Sequence, residues 1–197
     1  MLNIVTVGFN HDFLEPLYNS IPKEEDVIWY VHTHEDNTQP EFLMNKNITW
    51  IRSNESTDFS NFDRRINILF KEVLNTDPSG HFQIVDEDTL YNPNAYKLYK
   101  ENQDVNGLII GNQVYCNGTL RLRNCVPSGG YIDTGSCISS VSLLNYVEWD
   151  NKKTMTPDAK FWLRCYNFAK QVKFIDEPLS FYNAQLNQLD EQDIYRK

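Results

Sequence analysis

Apolar residues along the chain follow two rhythms that take turns. "NIVTVGF" (3–9), "DVIWYVHTH" (26–34), "NITWIRS" (47–53) and the Phe82–Val85 run of "HFQIVDED" are short and rich in β-branched and aromatic residues, as buried strands are. Between them, "FLEPLYNSI" (13–21) sets Phe13, Leu14, Leu17 and Ile21 on one helical face, with Pro16 suited to a first turn. "DFSNFDRRINILFKEVLN" (58–75) carries Phe62, Ile66, Ile68, Leu69, Phe70, Val73 and Leu74 as a broad apolar face. Strand and helix in alternation predict an α/β domain. Its central sheet is expected to be mostly parallel and flanked by helices.

The rhythm changes after the fourth strand. Asn92-Pro93 reads as the cap and first residue of a helix, "NPNAYKLYKEN". "GLIIGNQVYCNGTLRLR" (107–123) reads as two strands around an Asn117-Gly118 turn, a small antiparallel element. "PSGGYIDTGSCISSVSLLNYV" (127–147) reads as a glycine loop ending in a helix. "TPDAKFWLRCYNFAKQV" (156–172) is a helix with Thr156 as cap, Pro157 first and Asp158 in the first turn. "KFIDEPLSFYNA" (173–184) is a last strand. With no repeat or linker, residues 1–197 read as one domain.

Composition narrows the function. An apolar fraction of 41% with 13% aromatics supports a packed core. A net charge of −9 disfavours a general nucleic-acid surface. An anionic substrate would therefore need a metal or a focused basic spot. The four cysteines form no metal or redox pair, and no 18-residue apolar run exists, so a cytoplasmic protein with free thiols and no transmembrane segment is expected. His32 and His34 fit a polar strand end better than a zinc site.

"FQIVDED" poses the chemical question. Asp86, Glu87 and Asp88 repel one another at a strand end, where a parallel sheet binds ligands. A solvated turn is the simple explanation. A divalent cation, Mn²⁺ or Mg²⁺, shared with a diphosphate is the functional one, because it needs hard oxygen ligands. Asp86 and Asp88 lie on one side if strand geometry persists, and Glu87 then points away, toward a basic group.

The order of motifs resembles family 2-like glycosyltransferases with the GT-A (Rossmann-like) fold. "IVTVGFN…FLEPLYNSI", "NFDRRINILF", "FQIVDED", "GGYIDTGSCISSVSLL" and "DAKFWLRCYNFAKQVKFIDEPLSFY" follow the family's sequence of segments over about residues 3–184. The resemblance implies a nucleotide-binding half over about 1–90, with Val7, Gly8, Asp36, Arg65, Asn67, Asp86 and Glu87 toward the nucleotide and Asp86 and Asp88 on the metal. It implies an acceptor-binding half over about 91–197, with Asp133, Thr134, Gly135 and Arg164 toward substrate and Asp158 as general base. The implied reaction moves a sugar from a nucleoside-diphosphate sugar, UDP-linked in the first instance, to a glycan or other hydroxyl acceptor with inversion.

Three departures matter. Pro157-Asp158 stands where the family has two acids. No His follows His81 to complete a metal site, leaving Asn183, Gln185, Asn187 or water. The first loop reads Val-Gly-Phe. A non-catalytic nucleotide-sugar or glycan-binding domain therefore stays open. A nucleotidyltransferase is disfavoured, because "TVGFNHD" has one Gly and no basic residue for a phosphate loop. Each acid also has a purely structural reading: Asp158 as a first-turn charge, and Asp133 as an Asx-turn. Arg164 reads equally as a bridging residue and Trp162 as core, while Arg121 and Arg123 read as solvated hairpin residues or, alternatively, as cations that meet the diphosphate or an anionic acceptor.

Overall fold

The chain builds β1 (Leu2–Val7), α1 (His11–Ser20), β2 (Val27–His34), β3 (Ile48–Ser53), α2 (Phe62–Thr76) and β4 (His81–Ile84) in its first half. Then follow β5 (Leu90–Tyr91), α3 (Pro93–Glu101), β6 (Gly107–Val114), β7 (Leu120–Leu122), β8 (Cys137–Ser140), α4 (Pro157–Phe168) and β9 (Gln171–Phe181). The computed structural model describes residues 1–8, 11–35, 40–54, 61–128, 132–150 and 157–182.

All nine strands form one sheet, in the order β3-β2-β1-β4-β8-β6-β9-β5, with β7 on β6. The expected GT-A-type, mostly parallel sheet is not what forms. Four pairings are parallel, β1/β2, β1/β4, β2/β3 and β6/β9. Four are antiparallel, β4/β8, β5/β9, β6/β7 and β6/β8. The sheet is mixed, and the decisive strand is β8, which the sequence pattern read as loop and helix. Its serines hide it: Ser139 and Ser140 are buried, and the Gly107 N–H donates to Ser140 Oγ at 2.8 Å. A buried hydroxyl with a partner is tolerated in a sheet core, yet it erases the apolar alternation that marks a strand. The helix expected after β8 shrinks to a 3-10 turn over Val141–Asn145.

Alternate β1 residues face opposite ways, Ile4 toward one core and Val5 toward the other. Leu14 and Leu17 of α1 and Ala95 and Tyr99 of α3 cover the first. Ile66 and Leu69 of α2 and Phe161 and Trp162 of α4 cover the second. There Phe70 stacks on Phe161 at 5.3 Å and Phe82 on Trp162 at 6.0 Å. Each stack contributes about 0.5–1.5 kcal/mol beyond its buried area and fixes α4 on β4. Trp162 is thus core.

Because β8 runs antiparallel between β4 and β6, the carboxyl ends of β1, β4, β6 and β9 share one edge with the entry to β8. The segment before β8 lies close against β9. A Cβ on Gly135 would meet the Ser180 Cβ at 2.9 Å, and Gln83 Nε2 donates to the Gly135 carbonyl at 3.0 Å. Only glycine allows that approach.

Candidate active site at the carboxyl edge

Strand geometry stops at Ile84, and the Thr89 N–H closes a turn onto the Asp86 carbonyl at 3.0 Å. Strand alternation therefore does not place Asp86 and Asp88. Both nonetheless come under the negative field of Asp133, which lies just before the 3-10 turn Thr134–Ser136. Asp158, in the first turn of α4, joins them.

Asp86 keeps some solvent access while lying deep among protein atoms. Burial and then the charge of Asp133 hold its carboxyl well above the usual carboxylate range, with Asp88 and Asp158 adding to the shift. Thr134 Oγ1 lies 2.5 Å from Asp86 Oδ2 and 3.0 Å from Asp133 Oδ1. A hydroxyl has one proton, so both contacts are hydrogen bonds only if a carboxyl carries another. Burial and Asp133 also raise Asp88, opposed by its own backbone N–H and by Arg121. Burial raises Asp158 most, the Ala159 N–H pulls it back, and Asp133 raises it again. Burial outweighs the dipole of α4, which acts to keep a first-turn carboxylate ionised.

Arg121 is a cation facing this group of acids. It donates to Asp133 Oδ2 at 2.8 Å and to Gln113 Oε1, and its guanidinium carbon sits 3.3 Å from the Tyr182 ring centroid. Gln113 Nε2 donates in turn to Ser180 Oγ at 3.1 Å. Asp133 is thus held across strands, with no side-chain cap on its own turn. The sequence pattern gives no sign of Gln113 as a site residue and favours a solvated Arg121. The available signal was Arg121 two residues past an Asn-Gly-Thr turn, which sends it back along β6.

The other candidates divide. Gly8 follows β1, and its carbonyl accepts from Arg65 Nη2 at 2.8 Å. Arg65 is fully buried and also donates to His32 Nδ1 at 2.9 Å and to the His32 carbonyl at 3.2 Å. His32 Nδ1 is therefore the acceptor, and Nε2–H faces Ser53 Oγ at 3.1 Å. Burial, then the Arg65 charge, lowers His32 to about 4. Arg65 is itself lowered by burial, opposed by Glu87, a basic group in the field of that acid. Val7 is buried beside His32. Asn67 has both ends of its amide taken up by Trp149. Its amide donates to the Trp149 carbonyl at 2.9 Å and accepts from the Trp149 N–H at 3.0 Å, pinning α2 to the segment before α4. Arg164 binds the Glu148 carbonyl and Asp150, both at 3.3 Å. Asp36, Thr156, Asn183, Gln185 and Asn187 lie outside the described residues.

Among the described residues, no group of three or more His, Cys, Asp or Glu side chains is arranged to hold a metal ion. Asp86 and Asp88 are hard oxygen donors whose mutual repulsion a cation would relieve, so they fit as a partial ligand set.

No protein-family model and no curated protein matches the sequence. Solved structures do match. TarS 1-349 from S. aureus superposes with a TM-score of 0.70 at 14% identity, over 95% of this chain and 61% of that one. The chain shares the fold of TarS. The same protein in complex with UDP-GlcNAc gives 0.68 at 16% identity, over 91% and 57%. A 4-diphosphocytidyl-2C-methyl-D-erythritol synthase gives 0.55 at 10% identity, over 89% of both chains. The chain spans about three fifths of the TarS 1-349 length. Among the described residues, no helix is long and apolar enough to cross a membrane.

Proposed function

We propose that the chain binds a nucleoside-diphosphate sugar, with uridine as the first choice of nucleotide, and passes the sugar to a hydroxyl acceptor. The convergence of Asp86, Asp88, Asp133 and Asp158 at the carboxyl edge carries this reading. The shared fold supports it, since TarS was crystallised with UDP and with UDP-GlcNAc.

In this reading Asp86 and Asp88 would hold Mn²⁺ or Mg²⁺, which when bound offsets the charge of the departing diphosphate. Two carboxylates are a sparse set, so metal affinity should be weak until UDP supplies oxygens. Asp158 takes the proton of the attacking hydroxyl. Its raised basicity suits that role better than an ordinary solvated Asp. Arg121 holds Asp133 toward the sugar. Single displacement with inversion is the course that the resemblance to family 2-like glycosyltransferases implies for this reaction.

The test is a mass-spectrometric screen of nucleotide sugars with Mn²⁺ present. The expected result is UDP release from at least one donor, lost in Asp88→Ala. Calorimetry should show Mn²⁺ binding more tightly with UDP than without it. Equal affinity in both removes the metal from the proposal. The fold of the diphosphocytidyl synthase favours nucleotidyl transfer as a second reading. Pyrophosphate release from CTP or UTP, with no donor turnover, would select it.

A further inference from the structure

The far end of α4 carries an unusual surface. Tyr146 is 69% exposed and Phe168 55% exposed, and their rings stack at 5.8 Å with planes 10° apart. Large aromatics that stack on each other in open solvent mark a surface that something covers. They wall a cleft of about 460 Å³ that also holds Asn145, Glu148 and Arg164.

The lining selects the occupant. The parallel, stacked rings are both more than half exposed, so ring surface remains open to solvent as an apolar strip, suited to the C–H face of a pyranose. At its rim an exposed carboxylate and a guanidinium accept and donate hydrogen bonds, as neighbouring sugar hydroxyls require. An acyl chain on the same strip would desolvate Glu148 and Arg164 without replacing their water. Glu148 also disfavours an anionic sugar. The cleft is tied by sequence to the reaction centre: α4 starts at Pro157, beside Asp158, and ends at Phe168, so the two sites stand roughly 15 Å apart along the helix. That is the reach of a short oligosaccharide.

We propose that this cleft is a second carbohydrate subsite, holding an uncharged sugar residue of an oligosaccharide acceptor whose end lies at Asp158. The acceptor role rests on the sugar-transfer reading; the carbohydrate affinity does not. The test is an NMR titration of protein labelled at its aromatic rings with uncharged tetrasaccharides of glucose and of N-acetylglucosamine. Glucose alone and a tetragalacturonate serve as comparisons. At least one uncharged tetrasaccharide should shift the Tyr146 and Phe168 rings. Tyr146→Ala and Phe168→Ala should each weaken it about tenfold, with UDP affinity unchanged. Rings unmoved by every uncharged tetrasaccharide overturn the proposal. So does equal binding of the tetragalacturonate, or burial of the pair in a concentration-dependent dimer seen by sedimentation. Ring shifts without donor turnover would keep the subsite and discard the sugar-transfer reading. Donor turnover with unmoved rings would do the reverse.

Discussion

Arg65 and Asp86 are both charges set deep at the same edge of the sheet, and they are treated in opposite ways. Arg65 donates to the Gly8 and His32 carbonyls and to the His32 ring, neutral acceptors shaped to its guanidinium. Asp86 has the Thr134 hydroxyl and three neighbouring carboxylates. A buried charge supplied with neutral partners fastens the ends of β1 and β2, as architecture. A buried charge among like charges is costly at rest, and the cost falls only when positive charge arrives.

The largest effect expected is on turnover. Asp158→Asn should lower it roughly 10²–10⁴-fold while stability stays within about 1 kcal/mol, since Asn keeps a polar group in the first turn. Melting temperature, UDP affinity and initial rate on one preparation check this, and normal turnover would remove Asp158 from the mechanism. Next, Arg65→Met should destabilise by about 3 kcal/mol, because it strands the two carbonyls and the imidazole. Asp86→Asn should leave the ligand-free protein as stable or more stable, although donor binding is lost. Urea unfolding of the two variants decides; equal losses would erase the contrast between them.

A smaller effect separates the two groups by pH. His32 is depressed from 6.5 to about 4, so the folded protein binds fewer protons than the unfolded chain in that window. Its contribution is present above 6.5 and is lost as pH falls toward 4. Asp86, Asp88 and Asp158 are raised above 3.8, so the folded protein binds more protons there, and stability falls as pH rises through the raised values. The terms oppose each other. Replacing Asp86 with Asn should steepen the rise in stability from pH 4 to 6.5, and His32→Gln should flatten it, as measured by unfolding at each pH. Least of all, Arg164→Gln should cost roughly 0–1 kcal/mol, since its ion pair with Asp150 is half exposed. A larger loss in the same unfolding assay would assign the pair a structural weight the geometry does not suggest.

What was legible in the sequence was local. Asn92 caps α3 by accepting from the Asn94 N–H at 3.0 Å, as Asn-Pro foretells. Gly118 takes a φ of +80° in the hairpin turn, as Asn-Gly foretells. Asp86, Asp88, Asp133 and Asp158 were all singled out, and the fold gathers them. Illegible was whatever depends on a distant partner. Asn67 reads as a ligand residue until Trp149 occupies both ends of its amide. Arg121 reads as solvated until Asp133 and Tyr182 close on it. Strand β8 lacks an apolar alternation because buried serines fill it, Ser140 taking the Gly107 N–H of β6 as its partner.

That strand sets a timetable. During synthesis, β1 to β4 and α1 and α2 leave the ribosome first and can pair at once, all in parallel register. The outer edge of β4 then waits, because its partner residues Ser139 and Ser140 are made only after α3 and the β6–β7 hairpin. At the ordinary pace of translation that interval lasts seconds. An apolar strand edge left open that long is a template for a neighbouring nascent chain. Slowed elongation between α3 and β8 would prolong the exposure, so crowded polysomes and rare codons there bear directly on yield.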